Sequence, residues 1–231
     1  MVDYSESISC LECTNGSICF KKLIPSELEF INQKKTQVNY RKGENICKQG
    51  AIYSSVLYVV KGLVKIYLEC PGNKDINVRI SKPHEFIGLS GVCGDDVFNY
   101  SAQAIKDSTV CFIDKESFNQ LVLSNGKFAL EIIKGYCLKE KKLFNKVRSL
   151  GHKQMHGRLA DTLTYLCGDN FKDENVFSYI SRKDIANFAC ISTESVVRIL
   201  SELKQEKIIA MNGKKIEILQ NNLLEEISRR G

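Results

Sequence analysis

Three thiols crowd one end of the chain: Cys10, Cys13 and Cys19 follow a Cys-x2-Cys-x5-Cys spacing within ten residues. Thiolates this close in sequence can converge on one inorganic centre, and a cluster of the 4Fe-4S kind takes four of them. A fourth has to come from elsewhere. The spacing alone leaves alternatives open, because a Cys-x2-Cys pair is more often a zinc site or chance, and zinc takes the same sulfurs. A resolving disulfide switch is a weaker third reading. Cys47, Cys70, Cys93, Cys137, Cys167 and Cys190, six of the ten cysteines, are scattered and read as small hydrophobes. A secreted disulfide scaffold fits poorly, since such scaffolds are short and led by a signal peptide. This chain has 231 residues and opens Met-Val-Asp-Tyr-Ser-Glu-Ser, with neither a basic segment nor an apolar run. No stretch approaches the roughly 18 uncharged apolar residues of a membrane helix. A cytoplasmic protein with no membrane partner is expected.

A second constellation lies near the other end. Ser181 can cap a helix over Arg182–Ala189, Cys190 and Ile191 supply a turn, and Ser192 or Thr193 can cap a second helix running through Leu203. Ile185, Ala186, Ala189, Ile191, Val196, Ile199 and Leu200 give the apolar positions on which two short helices pack steeply, a helix-turn-helix pattern. Beyond them Asn212-Gly213, between two short β-rich runs, predicts a type I′ hairpin and hence a wing. Ser192, Thr193, Glu194, Ser195 and Arg198 then face outward, where they reach base edges. Arg198 has the donors for guanine O6 and N7, and Glu194 accepts from a cytosine amino group. Arg182 and Lys183 would lie near phosphates. Double-stranded DNA is the expected partner, and a net charge of +6 agrees with it while deciding little. Catalysis is not expected: His84, His152 and His156 are the only histidines, and no Ser/His/Asp grouping, phosphate-binding loop or His-x-x-x-His pair accompanies them.

The elements that position these groups follow a legible order. Residues 1–22 form a cysteine-rich arm with no core of its own, and Ser26 can cap a short helix after it. Residues 23–118 read as a sensor domain of short β-rich runs at Val38–Tyr40, Val56–Val60, Leu63–Leu68, Asn77–Ile80, Ser101–Ile105 and Thr109–Ile113, with glycines such as Gly62 where turns are needed. Closely spaced short strands argue for an antiparallel roll. Asp114 offers an N-cap for an uninterrupted helical stretch, and residues 119–152 form a long helix. Ile133, Cys137, Glu140, Phe144 and Val147 recur on it at steps of four and three, the spacing of a paired-helix seam. Two chains pairing there, or the stripe packing on the chain's own roll, are equally compatible with the pattern. Glu140 in a seam sets two carboxylates near a two-fold axis, which weakens the pairing and leaves it open to regulation. Residues 153–231 form the smaller winged-helix domain, beginning with an amphipathic helix from Gly157. The fold class is α+β.

Arg182-Lys183-Asp184-Ile185-Ala186, followed by Ser192-Thr193-Glu194-Ser195-Val196-Val197-Arg198-Ile199-Leu200, resembles the helix-turn-helix of the CRP/FNR superfamily, and the order of roll, long helix and winged helix covers almost the whole chain. The resemblance implies a cyclic-nucleotide-binding-like roll, a dimerisation helix and a DNA-reading pair at Glu194 and Arg198. Val197 stands where FNR-like members have Ser and CRP-like ones Gly; an apolar side chain can touch a thymine methyl but donates no hydrogen bond. Phe86-Ile87-Gly88-Leu89 and Tyr100-Ser101-Ala102 stand where cyclic-AMP binders have Phe-Ile-Gly-Glu and Arg-Ser-Ala. Without that glutamate and arginine the cyclic phosphate loses its charge-assisted partner, so cyclic AMP is not the expected ligand. The arm resembles the cluster motif of FNR, and Ala104-x2-Asp107-Ser108-Thr109-Val110-Cys111-x-Ile113 resembles the strand carrying its last ligand, which nominates Cys111. The implied cofactor is an oxygen-labile 4Fe-4S cluster on Cys10, Cys13, Cys19 and Cys111 that biases dimerisation, so that two recognition helices reach major grooves about 34 Å apart. The implied further partner is RNA polymerase. The alternative is a regulator of the same family sensing haem, nitric oxide or a small molecule in the roll, with incidental or zinc-binding arm cysteines.

Overall fold

The computed structural model describes residues 9–11, 17–94, 97–171 and 174–231; Cys13 lies outside them. The chain divides into two compact units, Met1–Glu69 with Arg79–Glu140, and Cys70–Val78 with Lys141–Gly231. The architecture is α+β, an antiparallel sheet followed by helices and a small wing.

The N-terminal part of the chain forms helix α1 (Pro25–Gln33) and strands β1 (Lys35–Tyr40), β2 (Asn45–Cys47), β3 (Ser55–Leu68), β4 (Ile76–Ser81), which straddles the boundary between the units, β5 (Phe86–Ile87) and β6 (Ser101–Asp114). The sheet runs β1-β6-β3-β4, with β2 also on β6 and β5 also on β3. Two pairs of expected strands are single long strands. Val56–Val60 and Leu63–Leu68 join into β3 because Gly62, at φ +94°, makes a bulge and not a turn. A side chain at Gly62 would collide with the Asp107 carbonyl and Ser108 of β6, so only glycine lets the two strands stay paired through the bend. Ser101–Ile105 and Thr109–Ile113 join into β6 for the same reason, since they face that bulge. The core holds Val56, Leu57, Val59, Ile87, Val110, Phe118 and Phe128, each almost fully excluded from solvent.

Ser26 does not cap α1. Pro25 takes the first helical position, where its missing N–H costs nothing, and the Glu27 carboxylate accepts from the Ile24 N–H at 2.9 Å. Nor is the helical stretch after Asp114 uninterrupted. Asp114 caps α2 (Lys115–Ser124) as expected, accepting from Ser117 N–H at 2.9 Å. The chain then turns extended at Asn125 before α3 (Gly126–His152) begins. Asn125 competes with the helix for its own hydrogen bonds: its Oδ1 accepts from Phe128 N–H at 3.0 Å, while its Nδ2 donates to Glu27 at 2.9 Å and to the Lys22 carbonyl at 3.1 Å. The break therefore fastens the start of α3 to α1 and the end of the arm.

The second unit contains the end of α3, then α4 (Met155–Cys167), α5 (Arg182–Ala189), α6 (Thr193–Gln205), β7 (Ile209–Asn212), β8 (Lys215–Ile218) and α7 (Asn221–Arg230). Leu159, Leu163, Leu166, Phe188, Val196 and Ile199 make its core. Helix α4 begins two residues before Gly157. The half-buried Asp161 joins three helices, accepting from Ser149 of α3 at 2.5 Å, Lys153 at 2.9 Å and Ser228 of α7 at 2.6 Å. Burial opposes its charge, yet the hydrogen bonds from Ser149, Ser228 and Lys153 outweigh that and hold its carboxyl below the usual range. Lys146 of α3 donates to the Phe188 carbonyl in the last turn of α5, the favourable place for a cation on a helix.

Candidate DNA-reading face and thiol cavity

The helix-turn-helix forms where the sequence places it. Ser181 caps α5, with Asp184 reciprocating to the Ser181 N–H at 2.8 Å. Cys190 turns the chain at φ +51°, and Ser192, not Thr193, caps α6, accepting from Ser195 N–H at 3.1 Å. Ile185, Ala189, Val196, Ile199 and Leu200 are buried between the helices. Their packing leaves Ser192, Glu194, Val197 and Arg198 exposed on one side of α6, with Thr193 and Ser195 half-buried beside them.

Three details differ from what composition suggests. Lys183 is exposed, but Arg182 turns onto the wing, its guanidinium 3.4 Å from the Gly213 carbonyl. The wing turns one residue later than expected: Asn212 pairs with Lys215, which makes Gly213-Lys214 the loop. Only Gly213 takes a positive φ there, +59°, so the turn is of the II′ kind, which wants glycine first. Arg198 is not a solitary cation. Its Nη1 donates to Glu202 Oε1 at 2.7 Å, and His156 Nε2 lies 2.9 Å from Glu202 Oε2.

In the first unit, Cys111 of β6 stands in register between Gln37 of β1 and Tyr58 of β3. It is buried, with its Sγ 3.9 Å from Gln37 Oε1. The described arm residues on either side of Cys13 are fastened by groups the sequence reading did not single out. Cys10 N–H donates to Asn32 Oδ1 of α1 at 2.8 Å, and Ser17 N–H donates to the Tyr58 hydroxyl at 3.0 Å. The ring of Phe20 meets Tyr58 at 4.9 Å, Phe86 at 5.4 Å and Phe128 of α3 at 6.2 Å. Phe20, next to Cys19 in sequence, was the one visible signal.

Cys10 and Cys111 line the same cavity, of about 30 Å³, walled by Phe20, Leu28, Ile31 and Tyr58. Cys19 is half-buried on the turn that carries Phe20, and loss of solvation raises its thiol above the ordinary range. Among the described residues no set of three or more His, Cys, Asp or Glu side chains converges as metal ligands. Two of the four nominated cysteines are thus brought to one cavity, the third is held on the arm segment, and Cys13 lies outside the described residues.

Where a cyclic nucleotide would need its arginine and glutamate, the half-buried Tyr100 hydroxyl accepts from Gly88 N–H at 2.7 Å, and Tyr53 packs against Gly88 and Gly91. On α3, Ile133, Phe144 and Val147 are 57%, 64% and 60% exposed, and Cys137 and Glu140 are exposed with them. The stripe thus lies exposed along α3. Among the described residues no helix is long and apolar enough to cross a membrane.

The remaining cysteines differ in reactivity, because the thiolate is the nucleophile. Burial pushes Cys47 up to about 12 and Cys167 up to about 11, whereas Cys137 lies exposed. Under iodoacetamide at pH 8, peptide mass analysis of dilute protein is expected to show Cys137 modified at least about tenfold faster than Cys47 or Cys167. Equal rates would mean that the roll and the winged domain do not shield those thiols.

Comparison with known proteins follows the same division. Residues 37–125 match the cyclic nucleotide-binding domain and residues 157–227 the Crp-like helix-turn-helix domain. The chain belongs to the CRP/FNR superfamily of transcription regulators. Over 230 residues, 96% of this CRP/FNR chain and 91% of the relative, it is 24% identical to the fumarate and nitrate reduction regulatory protein of Vibrio cholerae. Identity is also 24% to the anaerobic regulatory protein of Bacillus subtilis, over 82% of each chain. A solved CooA variant from Carboxydothermus hydrogenoformans shares the fold at a TM-score of 0.74 and 19% identity, covering 98% of both chains. The winged-helix domain makes this CRP/FNR chain a DNA-binding protein, and these relatives are named as regulators.

Proposed function

We propose that this CRP/FNR regulator is switched by an oxygen-labile 4Fe-4S cluster held by Cys10, Cys13, Cys19 and Cys111, and that it binds DNA as a homodimer paired along α3. The observation that carries the reading is the single apolar cavity shared by Cys10 and Cys111, thiols from the arm and from the middle strand of the roll. The donor set fits: all-sulfur ligation suits such a cluster, and Gln37 beside Cys111 offers a polar neighbour. A cavity of about 30 Å³ has room for little more than solvent, so a larger group requires the segment carrying Cys10 and Cys19 to lift. When bound, the cluster supplies an oxygen-reactive crosslink between arm and roll. The chain's own residues supply the rest. Tyr58 and Phe20 clasp the arm to the roll, and Phe20 and Asn125 bear on the first turn of α3. A change in the arm therefore reaches the helix whose exposed stripe pairs two chains. Leu89 and Tyr100 argue against cyclic AMP, since the Tyr100 hydroxyl already takes the Gly88 amide. The names of the Vibrio and Bacillus relatives agree with an anaerobic role, in which the bound dimer recruits RNA polymerase in the cytoplasm.

Two measurements test this. Anaerobic purification followed by iron and sulfide analysis, absorption spectra and DNA-binding titrations is expected to give a cluster whose loss in air weakens DNA binding; iron-free protein binding DNA equally well in both atmospheres would overturn the sensing mechanism. For readout, Arg198→Ala should lose about 1–3 kcal/mol of discrimination at one base pair of each half-site. A uniform loss across all sequences would reassign Arg198 to a phosphate.

A further inference from the structure

The base-reading guanidinium does not stand alone on α6, and the groups behind it are not ones the family pairing of Glu194 with Arg198 includes. Glu202, one turn further along α6, spends both carboxylate oxygens on different partners: Oε1 accepts from Arg198 Nη1 at 2.7 Å, and Oε2 faces His156 Nε2 at 2.9 Å. His156 belongs to α4, whose Leu159 and Leu163 are fully buried in the domain core, so the imidazole is set by a rigid element. Facing a carboxylate, which only accepts, Nε2 is the ring nitrogen placed to donate across this contact. The hydrogen bond from His156 is the largest influence holding the Glu202 carboxyl below its usual range.

An isolated i,i+4 ion pair at this exposure, 53% for Arg198 and 39% for Glu202, contributes little to stability. Its consequence is geometric. A free arginine side chain samples many rotamers and loses that freedom when it fixes on a guanine. A guanidinium already held through Nη1 keeps Nε and Nη2 for O6 and N7, and its plane is set by a carboxylate that His156 stops from rotating.

We propose that Glu202, oriented by His156, is a positioning residue for DNA readout: it preorganises Arg198 for bidentate recognition of one base pair. This rests on the reading that Arg198 contacts a base. The test uses full-length protein purified anaerobically and a 30-base-pair duplex selected from a random pool by the wild-type protein, with each half-site position substituted in turn. Glu202→Ala is expected to lower discrimination at the position read by Arg198 roughly fivefold, to leave the other positions unchanged, and to have no further effect in the Arg198→Ala background. His156→Ala should act at the same position and more weakly, while Glu202→Gln, which keeps an oxygen for Arg198, should retain most of the discrimination. Both side chains are substantially exposed, and thermal melting checks that each variant folds. A Glu202→Ala protein that binds every duplex more tightly, by loss of a negative charge, with its sequence preference intact would overturn the proposal. If Arg198→Ala itself leaves discrimination unchanged, the base-contact reading fails first, a result distinguishable from failure of the positioning role alone.

Discussion

Replacing Cys111 with alanine is expected to strip the anaerobically reconstituted protein of iron while leaving its fold intact. Cys111 is 6% exposed and sits mid-strand between Gln37 and Tyr58. Removing one sulfur there leaves a small void and costs about 1 kcal/mol, well short of unfolding a domain. Wild-type protein treated with ferrous iron and sulfide should bind about four irons per chain, and the Cys111→Ala protein less than about one, because three arm thiolates leave the fourth corner to solvent and lose the tie to the roll. DNA affinity should fall at least about tenfold with it, since a chain that no longer pairs recovers contacts from one half-site only. Cys47→Ala, altering a half-buried thiol away from the cavity, is the control that should keep both iron and DNA binding. Full iron loading of the Cys111→Ala protein would remove β6 from the ligand set and with it the coupling between arm and roll.

The second large effect lies on α3. Phe144→Asp should shift the monomer–dimer equilibrium by at least about a hundredfold toward monomer in sedimentation measurements. Phe144 is 64% exposed in one chain, and covering such a side chain contributes about 1.5–3 kcal/mol on each of two chains. In the proposed pairing an aspartate there would also face its own copy across the two-fold axis. Glu140 supplies the converse. Glu140→Leu removes the like-charge pair and adds apolar area to the same stripe, so it should strengthen pairing and let the protein hold DNA in air. A Phe144→Asp protein as dimeric as wild type would place the pairing surface elsewhere and leave the exposed row of Ile133, Cys137, Phe144 and Val147 unexplained.

Local chemistry made the DNA-reading half legible before any coordinates. Ser181 with Asp184 and Ser192 with Ser195 are hydrogen bonds closed within four residues, and the apolar spacing of α5 and α6 admits one packing, so the two helices begin where their caps lie. Where competition between local options was close, the reading slipped by small amounts. Ser26 lost the cap of α1 because Pro25 and Glu27 satisfied the first turn between them. Asn212-Gly213 gave the wing but the wrong turn, since cross-strand pairing of Asn212 with Lys215 chose the register. Gly62 looked like a turn because sequence does not show that β6 runs opposite it.

The sequence by itself determined the order of the domains, the two capped helices of the DNA-binding domain and the apolar spacing along α3, because each depends on neighbours a few residues apart. Tertiary structure alone decided that Cys10 and Cys111 share a cavity, that Tyr58 and Phe20 clasp the arm to the roll, and that His156 reaches Glu202 behind Arg198. Those contacts join residues far apart along the chain, and their geometry follows from sheet register and helix packing, which no local spacing encodes.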